Sequence, residues 1–429
     1  MSSKFPFVVL CALLIVGVAL LTAQSSEAPA GFSTPTGCPT TNIPPGITPC
    51  SQGSNGFPAS GDNTFAIGQD KFEEQETTAD GLGPVYNDKS CANCHQNPVT
   101  GGISQITEFR AGHLDGNGNF VAPTVVINDG ANTIPNRSLI NDRAICPQAT
   151  ERFDSTETIT TFRTSNNVLG DGFVEAIDSN TLVAIANNQP GQSGGQIAGE
   201  FIQVPVLEAN NAVRGGRFGW KNQHASLLSF SADAYINEMG VTSRLQPTDT
   251  TTVCKTTTDP EDPTVNGLED IDHFAFFMRS TKVPPRDTAL AATADAQTGA
   301  QLFTQVGCNI CHVTSITTAP AGTVINGGAL TVPAALGSKV IHPYSDFLLH
   351  NVGTGDGILQ NGPADTRNKM RTAPLWGVRT RMRLMHDGEQ HLRNDAILRH
   401  AGEATGVINN YRNLSNTQKN QLITFLNTL

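Results

Sequence analysis

Two copies of one short motif constrain this chain more than anything else in it: CANCH at 91–95 and CNICH at 308–312. Paired thiols two residues apart can add across the vinyl groups of a haem, and the adjoining histidine is then held beneath the iron. A zinc half-site would want a second CxxC or a histidine pair at finger spacing, and a redox dithiol would follow a strand of a thioredoxin-like unit. Neither context is present. Cys91, Cys94 and His95 are therefore expected to hold one covalent haem c, and Cys308, Cys311 and His312 a second, with His95 and His312 as axial ligands. The two sites lie half the chain apart. That spacing predicts two cytochrome c-like domains with one haem each, mainly α with long loops and few short strands.

The rest of the sequence fits this frame. A length of 429 residues with 38% hydrophobic and 15% charged residues is enough for two globular domains, and 41 Gly with 25 Pro predict many loops. A net charge of −11 argues against a nucleic-acid binder, which needs basic surface to meet phosphate. One lysine, Lys4, precedes an apolar run from Phe5 to Leu21, as in a secretory signal peptide; an uncleaved anchor helix is the alternative. Residues 1–28 are read as the signal, cut between 23 and 28, so that the mature protein is exported, periplasmic and without a membrane span. Residues 29–61 read as an extended Pro/Gly-rich arm, 62–285 as the first haem c domain and 286–429 as the second, electron-transferring domain. The segment 280–287 would be the linker.

Strand-like runs occur at 122–127 and 201–207, and DGNGN at 115–119 reads as a turn. It fails as a calcium loop at Phe120 and Val126. TADAQTGAQLFTQV predicts a helix entering the second motif, and the chain closes on a helix capped by Ser415. RNDAILRHAGEA reads as a helix begun by Asn394 or Asp395, with His400 well inside it. Cys38, Cys50, Cys146 and Cys254 allow two disulfides in an oxidising compartment. Three pairings exist, of which Cys38–Cys50 with Cys146–Cys254 is the simplest, and free buried thiols are the alternative.

Function turns on the sixth coordination position, because two strong protein ligands suit electron transfer and an open face suits chemistry. The sequence resembles the di-haem oxidoreductase family of thiol oxidoreductases and peroxidases, relatives of the bacterial di-haem cytochrome c peroxidases. The resemblance rests on DGLGPVYNDKSCANCH (80–95), GRFGWKNQHASLL (216–228), INEMGVTSRL (236–245) and VGCNICH (306–312). It continues in YSDFLLHNVGTG (344–355), RTAPLWGVRTRMRLMHDG (371–388) and AILRHAGEA (396–404).

The resemblance implies that His400, fourteen residues after the His386 of HDG, is the distal ligand of the second haem. It implies that Glu238 is the acid over the first haem, moving a proton between the peroxide oxygens, and that Trp220 relays oxidising equivalents between the haems. His113 corresponds to a histidine that caps the resting haem in some relatives, and an exposed loop histidine is the competing reading. Phe230 stands where the relatives place a distal glutamine. Arg381 and Arg383 stand where they bind calcium through backbone oxygens, which speaks against calcium here. His350 and His386 are read as hydrogen-bonding groups, and His224, His273, His342 and His391 receive no role.

The expected activity is reduction of hydrogen peroxide at the first haem, with electrons delivered through the second by a small soluble cytochrome c or a cupredoxin. The alternatives are a purely electron-transferring di-haem cytochrome and an oxidoreductase acting on a thiol or a protein side chain.

Overall fold

The computed structural model describes residues 25–32, 55–60, 63–255, 257 and 267–429. Among these, eleven α-helices are joined by long connections and by many strands of two to four residues. The helical content follows the expectation, but strands are more numerous than expected. The longest, Thr107–Leu114, pairs antiparallel with Ile159–Thr164 and also with Phe120–Val121 and Leu139–Ile140. The run 122–127 gives a strand only at Val125–Ile127, and 201–207 gives Gln203–Val206.

Two helix pairs frame the two motifs. Phe65–Glu73 packs on Asp270–Ser280 through Phe72 and Phe277, whose rings are 4.9 Å apart. Ala294–Val306 packs on Asn416–Leu426 through Phe303 and Phe425, 5.3 Å apart. Each crossing is close because one helix offers a glycine there. A Cβ at Gly68 would stand 2.9 Å from the carbonyl oxygen of His273, and one at Gly299 would stand 2.0 Å from that of Gln421. The caps are local: Thr293 accepts from the Ala296 N–H, and Ser415 and Gln418 form a reciprocal capping box.

The expected division at 285/286 does not separate the packing. The larger apolar core joins Phe72, Phe173 and Phe277 to Ile316, Leu336, Phe347 and Trp376 from beyond that boundary. Thr281 and Val283, in the expected linker, are buried, and Val283 bridges to Ala30. The described ends of the Pro/Gly-rich arm are docked rather than extended, because Asn55 donates to the carbonyls of Arg279 and Thr281 and Phe57 packs on Phe276. Ser26–Glu27 forms a parallel strand beside Lys339–Ile341. This paired strand lies inside residues 1–28, the segment read as the signal.

Cys146 and Cys254 form a disulfide across 108 residues of sequence; Cys38 and Cys50 lie outside the described residues. Closing so long a loop removes much of the unfolded chain's freedom. Replacing both cysteines by serine should lower unfolding free energy by about 2–5 kcal/mol, measurable by denaturant titration.

Candidate functional site: two cavities joined by a tryptophan

Each CxxCH motif lines its own cavity. The first contains Cys91, Cys94 and His95, and the second Cys308, Cys311 and His312. With their mouths included they enclose about 1190 and 1360 Å³, which suits a large cofactor.

The two motif histidines are held in the same way. Nδ1 of His95 lies 3.3 Å from the carbonyl oxygen of Gly102, and Nδ1 of His312 lies 2.8 Å from that of Tyr344. Facing a carbonyl, Nδ1 carries the proton and donates, so Nε2 is the nitrogen left for a metal. Burial holds both imidazoles neutral, with His312 lowered to about 4. The four motif cysteines are unpaired, and burial raises the thiols, Cys308 to about 12. Neutral buried thiols do not match a low-pKa redox pair.

His400 lines the second cavity and repeats this pattern, its Nδ1 standing 2.9 Å from the Ala396 carbonyl and 3.2 Å from that of Ile397. The helix that carries it differs from expectation. It runs Arg393–Leu398 with Leu392 at the cap position, so His400 lies just beyond its end rather than inside. The chain turns away there because the Ala401 N–H pairs with the Val352 carbonyl.

His350 also lines this cavity, but Asp346 and Glu403 hold both its nitrogens, at 2.8 and 2.9 Å. Burial opposes its charge, yet Asp346 outweighs burial and lifts its pKa well above the usual value. It is an ion-paired imidazolium, a hydrogen-bonding group as expected from the sequence. His386 faces the same cavity, and burial lowers it to about 4.

The second cavity contains buried cations in want of an anion. Arg381 lines it with Nε and Nη2 unpartnered, and Arg393 lines it with Nε unpartnered. Burial, then the neighbouring charge of Arg371, lowers Arg381 to about 10. Buried donors need partners. The two propionates of a haem would supply them, so these residues fit that group. Arg381, one of the two arginines at the expected calcium position, thus lines a haem-sized cavity.

In the first cavity His95 is the only lining histidine among the described residues, and Glu238 and Glu108 line it too. Glu238 sits where the helix Leu227–Ala234 passes into a single π turn, Tyr235–Met239, a distortion common at functional sites. Its Oε2 accepts from Asn87 Nδ2 at 2.6 Å. Burial, then the like charge of Glu108, raises Glu238 to about 8.

Phe230 lines the cavity, stacked on Phe218 and His224. The cavity still has a glutamine, because Gln223 lines it as well. His113 does not line it. His113 lies in no loop but near the end of the strand Thr107–Leu114, and Glu157 holds its Nδ1 at 2.8 Å. The turn begins just after, where Asp115 accepts from the N–H groups of Asn117 and Asn119.

Trp220 lines both cavities. Its Nε1 donates to the Thr164 carbonyl at 2.8 Å, and its ring meets that of His386 edge-on at 6.1 Å. Sequence reasoning missed the charges around it. Arg163 reaches Glu108 at 3.5 Å and Asp356 at 2.7 Å, and Lys221 reaches Asp356 at 2.9 Å. Glu108 and Arg110 could have been found from their i, i+2 spacing, which puts both on one face of a strand. The Arg163–Asp356–Lys221 cluster has no local signature.

Two histidine-bearing, haem-sized cavities sharing one tryptophan define a two-haem redox protein. Residues 146–429 match the family model described as "Di-haem oxidoreductase, putative peroxidase", about two thirds of the chain, and the protein belongs to that family. The family implies two haems. No curated protein matches the sequence.

Among solved structures, a MauG-like protein associated with microbial copper homeostasis is 18% identical, with 37% of this chain and 52% of that one covered at a TM-score of 0.25. Kuenenia stuttgartiensis hydrazine synthase is 17% identical, with 37% and 55% covered at 0.24. The chain therefore spans about half the length of these two. The diheme peroxidase BthA from Burkholderia thailandensis E264 is 15% identical, with 91% and 95% covered at 0.40.

Proposed function

We propose that the protein is an exported di-haem c oxidoreductase that reduces hydrogen peroxide in the first cavity and takes in electrons through the second. The observation that carries this reading is the asymmetry between the cavities. Besides His312 the second offers His400, whose Nδ1 is occupied by backbone carbonyls, whereas the first offers no second histidine among its lining residues and instead holds Glu238 and Glu108.

The haems, tethered by Cys91 and Cys94 and by Cys308 and Cys311, would supply the electrons and the iron at which the O–O bond is broken. The chain's own residues do the rest. Glu238 is protonated near neutral pH; it gives its proton to the departing oxygen of peroxide, which leaves as water, and recovers a proton from the oxygen that stays, while Asn87 fixes its orientation. Trp220, touching both cavities, carries oxidising equivalents from one to the other. Arg381 and Arg393 would neutralise the propionates of a haem held in the second cavity. A small cytochrome c or a cupredoxin would refill the second haem.

The Cys146–Cys254 disulfide supports export to an oxidising compartment. No helix among the described residues is long and apolar enough to cross a membrane.

Absorption and EPR spectra of the oxidised and half-reduced protein, before and after peroxide, test the reading. A high-spin signal that responds to peroxide is expected. Two low-spin haems that persist on half-reduction and ignore peroxide would leave only an electron-transfer cytochrome. In His400→Ala the second haem should change from low to high spin. An unchanged spectrum would remove His400 from the ligand set.

A further inference from the structure

A closed circuit of bonds runs from the disulfide to Glu238 and back. On one side, Cys146 ends a segment laid along the residues that precede the first motif. There Arg143–Ala144 pairs antiparallel with Val85–Tyr86, and the Ile145 N–H donates to the Pro84 carbonyl at 2.9 Å. The Asp142 N–H donates to Asn87 Oδ1 at 3.1 Å. The amide oxygen thus faces Asp142 and the amide nitrogen faces Glu238, where Nδ2 meets Oε2 at 2.6 Å. The backbone N–H of Asn87 also donates to the Glu238 carbonyl, at 2.7 Å.

On the other side, Cys254 precedes Lys255, whose Nζ lies 3.4 Å from the carbonyl oxygens of both Gly83 and Gly240 and ion-pairs with Asp249. Gly240 ends the π turn that carries Glu238. A Cβ at Gly240 would stand 2.6 Å from the Val85 carbonyl oxygen, so the turn and the strand Val85–Tyr86 are pressed together. A ladder of two residues is too short to hold its register alone. Asp142 and Arg143 are exposed, so little packing helps it.

We propose that the Cys146–Cys254 disulfide is a positioning element for Glu238: by tying residues 142–146 to 254–255 across Val85–Tyr86, it holds Asn87 on the carboxyl. This rests on the peroxidase reading of the first cavity and adds to it the covalent tie that sets the acid's geometry. An Oε2 that accepts from Asn87 leaves Oε1 to carry the proton, so the same amide decides which oxygen donates.

The bond can be opened in the folded, haem-loaded protein, because Cys254 is exposed and Cys146 half-buried. Reduction with a phosphine, capping of both thiols with iodoacetamide and reoxidation of the haems gives the untied protein; Cys146→Ser with Cys254→Ser gives it by mutation. Hydrogen exchange should quicken about tenfold or more across residues 83–88, where the Gly83 and Asn87 N–H groups donate to the carbonyls of Met239 and Glu238. Exchange around His312 should stay as in wild type.

In stopped flow, the reaction with peroxide should slow by about 10–10²-fold, as for a small misplacement of a reacting group. Asn87→Ala has already lost the contact, so opening the bond in that variant should slow the reaction no further. A general loosening of the fold would instead slow both proteins alike. Equal slowing in the two backgrounds, unchanged exchange at 83–88 or an unchanged rate would each overturn the proposal. Should the serine pair fail to load haem, the chemically opened wild type carries the same test. Exchange needs no peroxide, so a protein whose exchange responded but which never reacted with peroxide would keep the tie and lose the peroxidase reading.

Discussion

Glu238→Gln should slow the reaction of the reduced protein with peroxide by about 10²–10⁴-fold, the usual contribution of a positioned proton donor. Glutamine keeps the size of the side chain and can still meet Asn87, but it has no acidic proton to give. Stopped-flow absorption with excess peroxide measures the rate directly. The pH dependence gives a second signature. With its carboxyl raised to about 8, Glu238 donates below that pH, so the wild-type rate should fall as pH rises through about 8. The variant should lack that alkaline limb.

The sign for stability follows from the same shift. The folded protein binds this proton more tightly than the unfolded chain does. The contribution is fully present below the ordinary value of 4.5 and is lost as pH rises through about 8. A Glu238→Gln protein that reacted at the wild-type rate would show that the acid has no part in the chemistry.

Asp356→Asn should be the most destabilising single change near the cavities, at about 3–5 kcal/mol. Asp356 is wholly buried between Arg163 and Lys221, themselves 1% and 2% exposed. An amide in its place would leave Lys221 without a carboxylate and Arg163 with Glu108 alone, at 3.5 Å. Burial alone would raise the carboxyl, but Arg163 and Lys221 pull it down to about 2. Its contribution is therefore present above the ordinary value of 3.8 and lost as pH falls toward 2. Urea unfolding of wild type and variant at neutral pH and near pH 3 checks both points. The variant should be weaker at neutral pH, and the difference should shrink in acid. A variant as stable as wild type would show that the cluster is not a structural tie.

What could be read from the sequence was what local chemistry determines. The two CxxCH motifs declare their cofactor because thioether attachment needs its thiols and histidine within five consecutive residues. The helices Ala294–Val306 and Asn416–Leu426 were legible because Thr293 and Ser415 mark their starts. The helix before His400 was misjudged because Asn394 and Asp395 look like caps, while Leu392, a poor capping residue, holds the position.

The strand Thr107–Leu114 was hidden by the turn residues that follow it. The disulfide was one of three possible pairings, and sequence spacing alone cannot decide among pairings. Asp356 was invisible because its partners come from 193 and 135 residues upstream in the chain, positions that only the tertiary fold brings together.

The disulfide between Cys146 and Cys254 has a consequence for how the molecule is made. On the haem c reading, two sulfurs must be oxidised to each other while four others stay reduced long enough to be alkylated by the macrocycles. A CxxC pair oxidises easily, so an environment that closes the long loop also threatens to close both short ones. Biogenesis then depends on order: either the short pairs are guarded by a reductant until cofactor arrives, or they are consumed before the oxidant acts. Expression without haem supply should accumulate a dead-end form with three sulfur–sulfur bonds among these residues, too oxidised to be loaded afterwards.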